Sequence, residues 1–332
     1  MDLITQGVIG AAAAQCGARP NRLRIAALAG AVGGLLPDSD ILIRLPSDPL
    51  FNLEYHRHFT HSLIFIPVGA ALAACITWWI TRKKEKLSAL FWPSFLGMAT
   101  HGLLDSCTSY GTRLYWPFSD DRVAWHLISI VDPLFTLALV VGVVVATWKR
   151  RRLAARLGFG VAMVYLALCG IQKQRVQDAH AALIAERGHQ GIDPEVKPAI
   201  ASNILYRAFY THDGHYYVDA IRVPWFGPSK VYKGDYIRVL DLEKYVYNYA
   251  LDELRQADIA RFNTFSAGYL IEDPRACGIL SDFRYAALPN AIAPLWGIDV
   301  LGTPVGEHLE FHRWSALDED DQALFKNMMF GR

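Results

Sequence analysis

The side chains in this sequence that can hold a cation or move a proton fall in a few short blocks. Asp38 and Asp40 straddle Ser39 behind Pro37, His56, His58 and His61 surround Arg57 and Thr60, His101 precedes Asp105, and Asp132 lies further on, with Gln6 upstream of all of them. His101 and Asp105 are i, i+4, so on a helix both point from one face. Asp38 and Asp40, in an extended segment, share a side. His58 and His61 bracket Thr60, a residue able to cap the helix that follows. Nitrogen and carboxylate donors together suit Zn²⁺, Mn²⁺ or Fe²⁺ better than Mg²⁺ or Ca²⁺. Each residue alone also has an ordinary reading as a cap or a hydrogen-bonded polar group. Their convergence is what points to a metal.

The elements that would position them are apolar. Ser62–Thr81 is free of charge, Ser88–Leu104 has His101 as its one ionisable group, Ile130–Trp148 carries Asp132 alone, and Leu157–Ile171 carries no charge. Ile25–Leu36 and Leu3–Ala14 are shorter apolar runs. A spanning helix needs about 20 apolar residues, so the expected fold is a membrane all-α bundle of five or six transmembrane helices over residues 1–172, followed by a soluble α+β domain over 173–332. Basic clusters at Arg19/Arg22/Arg24, Arg82–Lys86 and Lys149–Arg156 are separated by even numbers of crossings in that bundle. The positive-inside bias then puts them in the cytoplasm and puts the C-terminal domain outside, in the periplasm. The carboxylates and imidazoles fall at the outer face. An ionised Asp at mid-membrane costs roughly 2.5–3.5 kcal/mol, and a shared cation would offset that cost.

Composition narrows the classes. The chain has 332 residues, 52% of them hydrophobic and 20% charged, with a mean hydropathy of +0.17, which excludes a disordered chain. The net charge of +1 excludes a broadly basic nucleic-acid binder. It conceals a split: residues 1–172 carry 16 Lys and Arg against 10 Asp and Glu, and residues 173–332 carry 17 against 22. Five cysteines without a C-x-x-C pair do not make a disulfide scaffold. The N-terminal apolar stretch lacks a basic segment before it, unlike a signal peptide. In the second half, Gln172–Gly188 reads as an amphipathic helix and Ile192–Pro198 as a linker. Ile204–Thr211 and His215–Val223 alternate about Asp213-Gly214 as a hairpin, and Leu242–Ala257 reads as helical. Phe265–Ile271, Gly278–Ala286 and Glu307–Trp314 read as strands.

Several blocks together resemble one bacterial family. They are Met1-Asp2-Leu3-Ile4-Thr5-Gln6-Gly7, Leu36-Pro37-Asp38-Ser39-Asp40, Tyr55 to Ser62, His101-Gly102-Leu103-Leu104-Asp105, Thr108 to Thr112, Trp116-Pro117-Phe118-Ser119 and Val131-Asp132-Pro133-Leu134. The family is that of the LexA-binding, inner-membrane-associated metal-dependent hydrolases, and the resemblance covers residues 1–172. It implies a multi-pass protein of the bacterial inner membrane. A LexA contact would need cytoplasmic surface, which here is confined to short basic loops. The order of the metal-type residues is also similar to zinc-dependent phospholipase C and the S1/P1 nucleases. That similarity implies Asp40, His61, His101 and Asp105 as ligands, with Asp38 second, zinc as the metal, and a phosphoester as the bond. The chain departs from the pattern at Gln6, where the pattern has His.

The function expected is a membrane-bound metal-dependent hydrolase acting on a phosphoester, with a lipid or lipid-linked substrate suited to a site at the membrane boundary. Asp38, or Asp40 if it does not ligate, would be the general base. Arg57 would bind a phosphate through its fork. Gln6, His56, His58 and Asp132 are further candidates for the site. No nucleic-acid partner is expected, and the outer domain is a place for a protein partner. The rival expectation is a non-enzymatic membrane protein with a structural metal and a partner-binding domain. A proton-relaying transporter is a third.

Overall fold

A computed structural model describes residues 1–314 and 318–332. The chain divides into two units: Met1–Ile43 with Tyr55–Lys173, and Arg44–Glu54 with Gln174–Arg332.

The first unit is helical. Its helices are α1 (Leu3–Gly17), α2 (Leu23–Leu35), then, beyond α3 (Phe51–Tyr55), α4 (Ile66–Ile80), α5 (Leu87–Ser106), α6 (Pro133–Lys149) and the first part of α7 (Arg152–Glu186). Short 3-10 turns at Pro37–Leu42, Phe59–His61 and Leu63–Phe65 link them. Backbone contact between α1, α2 and α5 is made through glycine. A Cβ on Gly30 would stand 2.3 Å from the Gly10 carbonyl oxygen, and one on Gly97 would stand 2.1 Å from that of Gly30. Ile9, Ala12, Leu104, Phe135, Leu139 and Ala162 form the core that joins α1, α5, α6 and α7.

This arrangement corrects the expectation of five or six transmembrane helices. Among the described residues, two helices are long and apolar enough to cross a membrane, Leu63–Ile80 and α7. At 15 and 13 residues, α1 and α2 are short, and α6 has 17. Helix α5 has 20 residues but includes Pro93, Ser94, Thr100, His101 and Asp105. Apolar runs of that size serve equally well as buried helices, and the glycine contacts are what bury α1, α2 and α5. By contrast α7 leaves Leu153, Leu157, Val161, Val164, Leu168 and Ile171 exposed along one stripe, as a lipid-facing helix does. With two spans the even numbers of crossings expected between the three basic clusters are not present.

The second unit holds two antiparallel four-stranded sheets, ordered β1-β2-β3-β4 and β5-β6-β7-β8. The strands are β1 (Ile192–Pro198), β2 (Leu205–His212), β3 (His215–Arg222), β4 (Lys230–Arg238), β5 (Leu270–Glu272), β6 (Ile279–Asp282), β7 (Trp296–Asp299) and β8 (Glu310–Arg313). Helices α8 (Leu242–Asn248), α9 (Glu253–Phe265) and α10 (Glu319–Phe330) accompany them. Asp213 and Gly214 both take positive φ and close the β2–β3 hairpin, with Tyr206 opposite Ile221. Ile192–Pro198, expected as a linker, pairs instead with β2 as an edge strand, where Pro is tolerated. The helix expected over Leu242–Ala257 is broken at Ala250, and Asp252 caps α9. Val176 and Leu183 of α7 pack with Val196, Tyr206, Ala208 and Ile221 of the first sheet.

Candidate metal centre

Three separate pieces of backbone meet at the centre. The 3-10 turn Pro37–Leu42 ends α2 and carries Asp38 and Asp40. The turn Phe59–His61 precedes α4 and carries His61. Helix α5 runs back along α4, so its C-terminal end brings His101 and Asp105 beside His61. Gly102 permits this approach: a Cβ there would lie 2.3 Å from the His61 carbonyl oxygen. The rings of His61 and His101 stand 4.6 Å apart, edge to face.

One atom from each of Asp38, His61, His101 and Asp105 turns to a common point, all within 4.8 Å of one another. His61 Nε2 lies 3.4 Å from Asp38 Oδ1 and 3.5 Å from Asp105 Oδ2. His101 Nε2 lies 3.5 Å and 3.6 Å from the same two oxygens. A tetrahedron of ligands with bonds of about 2.1 Å has edges of about 3.4 Å, so these four separations fit Zn²⁺-type coordination. Three of the four side chains are wholly buried, while Asp38 keeps 14% of its side chain exposed.

The atoms around the centre fix which faces point inward. His101 Nδ1 is 2.6 Å from the Gly34 carbonyl oxygen, which can only accept, so Nδ1 carries the proton and Nε2 presents a lone pair. Thr60 Oγ1 donates to Asp40 Oδ2 at 2.9 Å and so accepts from His61 Nδ1, also at 2.9 Å. That leaves His61 Nε2 as a lone pair too. Asp105 Oδ1 receives Gln6 Nε2 at 2.9 Å and the Met1 amino group. His61 Nε2, His101 Nε2 and Asp105 Oδ2 are buried without a hydrogen-bond partner. Acceptors facing acceptors in a buried site are costly unless a cation lies between them, so the residues present fit a divalent metal.

The charges agree with this. Burial opposes the charge on Asp105, and Arg57 beside it overcomes that and holds its carboxyl below the ordinary range. Burial, reinforced by His101, lowers His61 to about 4, so its ring is neutral at pH 7, the form that ligates.

The other expected residues have different places. Asp40 lies behind His61: it accepts from Thr60, from the Arg57 backbone nitrogen at 3.1 Å, and meets His56 Nδ1 at 2.8 Å. Asp38, and not Asp40, completes the four-atom group. Thr60, expected as a helix cap, bridges His61 and Asp40 instead. Arg57 takes a left-handed backbone at φ 63°, unusual for a non-glycine residue. Its Nε is 3.3 Å from Asp105 Oδ2, its guanidinium reaches Thr108, and it lies over the Tyr110 ring. Gln6 orients Asp105 from behind. His58 packs among Tyr55, Phe59 and Trp116, away from the four donors. Asp132 caps α6 and accepts from Tyr165. Sequence reasoning gave Gly34 and Gly102 no part in the site. A glycine beside each metal-bearing segment, at the end of α2 and next to His101, was the available signal.

Comparison with known proteins bears on the same region. A family model described as "YdjM inner membrane protein" matches residues 1–176. "Uncharacterized protein YfhP" of Bacillus subtilis is 25% identical over 186 residues, covering 56% of this chain and 54% of its own length. "Inner membrane protein YbcI" of Escherichia coli is 34% identical over 108 residues, covering 31% of this chain and 60% of its own. The chain thus spans between about half and three-fifths of the curated relatives it matches. No solved structure matches it.

Proposed function

The chain belongs to the YdjM inner membrane protein family, and from that premise we propose that it is a membrane-bound metal-dependent hydrolase acting on a phosphoester, with zinc the metal that suits the donors best. The observation that carries this reading is the convergence of three buried atoms that make no hydrogen bond, His61 Nε2, His101 Nε2 and Asp105 Oδ2, with one partly exposed carboxylate, Asp38. Two His and one carboxylate are the protein part of many catalytic zinc sites. A divalent metal held there supplies Lewis acidity and lowers the pKa of water.

The residues divide the remaining work. Asp38, the donor open to solvent, would take the proton from the attacking water. Arg57, fixed by its backbone contact to Asp40 and placed beside Asp105, holds an anionic oxygen of the substrate. The basic run Arg82-Lys83-Lys84 follows Leu63–Ile80, and Lys149 to Arg152 opens α7. Positive-inside places both ends in the cytoplasm and the domain after α7 in the periplasm. A site carried by a membrane-bound chain suits a lipid or lipid-linked phosphoester.

A structural metal is the second reading, because four protein donors already complete a tetrahedron. Purified protein loaded with zinc and assayed on a chromogenic phosphodiester separates the two. On the hydrolase reading, Asp38→Asn keeps its metal and loses turnover. Loss of metal in Asp38→Asn, with no turnover by the loaded wild type, favours the structural site.

A further inference from the structure

The segment between the two metal-bearing turns belongs to the other unit. Residues Arg44–Glu54 group with the C-terminal domain, while Ile43 before them and Tyr55 after them group with the helices. Asp38 and Asp40 lie just ahead of this segment, and His56, Arg57 and His61 lie just behind it. Within the C-terminal unit, one side chain grips the segment at two points, its middle and its last residue. Arg261 of α9 donates from Nη1 and Nη2 to the two oxygens of Asp48, at 3.2 and 2.9 Å. It donates from Nε to Glu54 Oε2 at 3.0 Å. Asp258, one turn earlier and buried, accepts from Arg261 at 3.0 Å, from the Leu309 backbone nitrogen and from His308 Nδ1, so the guanidinium is itself held. Asp48 is tied into the segment by accepting from the Leu50 nitrogen at 3.0 Å, and the Leu50 side chain is buried.

We propose that Arg261 is a positioning residue for the metal centre: by clamping Asp48 and Glu54 it sets the spacing between the Asp38–Asp40 turn and the His56–His61 turn, and so makes metal affinity depend on the C-terminal domain. This rests on the metal-centre reading given above. A bidentate Arg–carboxylate pair plus a second carboxylate fixes the direction as well as the distance of the loop. No residue of the C-terminal domain is needed as a ligand for the domain to tune the site in this way. The effect has the size seen when groups supporting a ligand are removed, about 10- to 100-fold in metal affinity.

The test uses the full chain in detergent micelles, with Co²⁺ affinity read from its visible absorption in competition with a chelator. Arg261→Ala and the loop-side pair Asp48→Asn/Glu54→Gln should each weaken Co²⁺ binding about tenfold. Combining all three should weaken it no further, because they remove one interaction. Arg261→Lys should recover part of the loss. Arg187→Ala, which breaks the Asp219 ion pair elsewhere in the same unit, should leave the affinity as in wild type. Wild-type affinity in both Arg261→Ala and the loop-side pair, with binding lost in His101→Ala, would overturn the clamp and leave the metal centre standing. An equal loss in Arg187→Ala would also overturn it, by showing a general response to destabilising the unit. Undiminished binding in His101→Ala would overturn the metal centre and the clamp together. Should Arg261→Ala not fold, the loop-side pair, which leaves α9 unaltered, decides with the same outcomes.

Discussion

Asp40 Oδ2 lies 3.4 Å from Nδ1 of His61, on the side of the ring turned away from the other donors, with Thr60 bridging the two. The carboxylate therefore orients the imidazole rather than joining the four-atom group. Asp40→Asn should lower zinc affinity about 10- to 100-fold while leaving full occupancy at saturating metal. Isothermal titration of the purified protein measures this. Loss of the site at saturating metal would place Asp40 among the ligands.

The close approach of α2 and α5 sets the second expectation. A Cβ on Gly97 would stand 2.1 Å from the Gly30 carbonyl oxygen, whereas one on Gly17 meets nothing within 4 Å. Gly97→Ala should cost about 1–3 kcal/mol through overpacking, seen as a lower melting temperature in detergent. It should weaken metal binding as well, since α5 carries His101 and Asp105. Gly17→Ala should change neither. A Gly97→Ala protein as stable as wild type would show that the helices have room to part.

How much of this was legible in the sequence depends on the residue. His101 and Asp105 could be paired from their i, i+4 spacing because α5 is a regular helix through both. Asp38 and Asp40 could not be told apart. An extended segment would have set them on one side, but Pro37–Leu42 is a 3-10 turn of three residues per turn, so i and i+2 point about 120° apart. One faces the donors and the other faces the His56–His61 turn. The spans were overcounted because an apolar run does not say whether lipid or glycine-lined helix covers it. The edge strand β1 was hidden by its prolines, and β4 by a largely exposed sequence with little alternation.

Lys197 gives a pH test in the C-terminal unit. It is buried on β1 against the rings of Phe209 and Tyr285. Burial lowers its amine to about 8, with Glu195 opposing the shift. Lysine in an unfolded chain titrates near about 10.4, so between those values the unfolded chain binds more protons and stability rises with pH. Below pH 8 both states are protonated and the penalty is constant. Lys197→Met should melt higher than wild type at pH 7, and the gap should narrow between pH 8 and 10. Parallel melting curves of the full chain over that range would contradict the assignment.

The orientation is open to fusion reporters on the full chain. Fusions after residue 84 and at residue 150 should report cytoplasm, and one at residue 250 should report periplasm, following the basic ends of Leu63–Ile80 and α7. A cytoplasmic signal at residue 250 would overturn the periplasmic placement of the domain after α7.

The metal itself is the central claim, and elemental analysis of the purified 332-residue chain tests it most directly. Wild type should carry a stoichiometric divalent metal, zinc above others. His101→Ala and Asp105→Ala should each purify as folded membrane protein with that metal largely gone, since each removes a wholly buried donor. Undiminished metal in both variants would show that Asp38, His61, His101 and Asp105 are not the site.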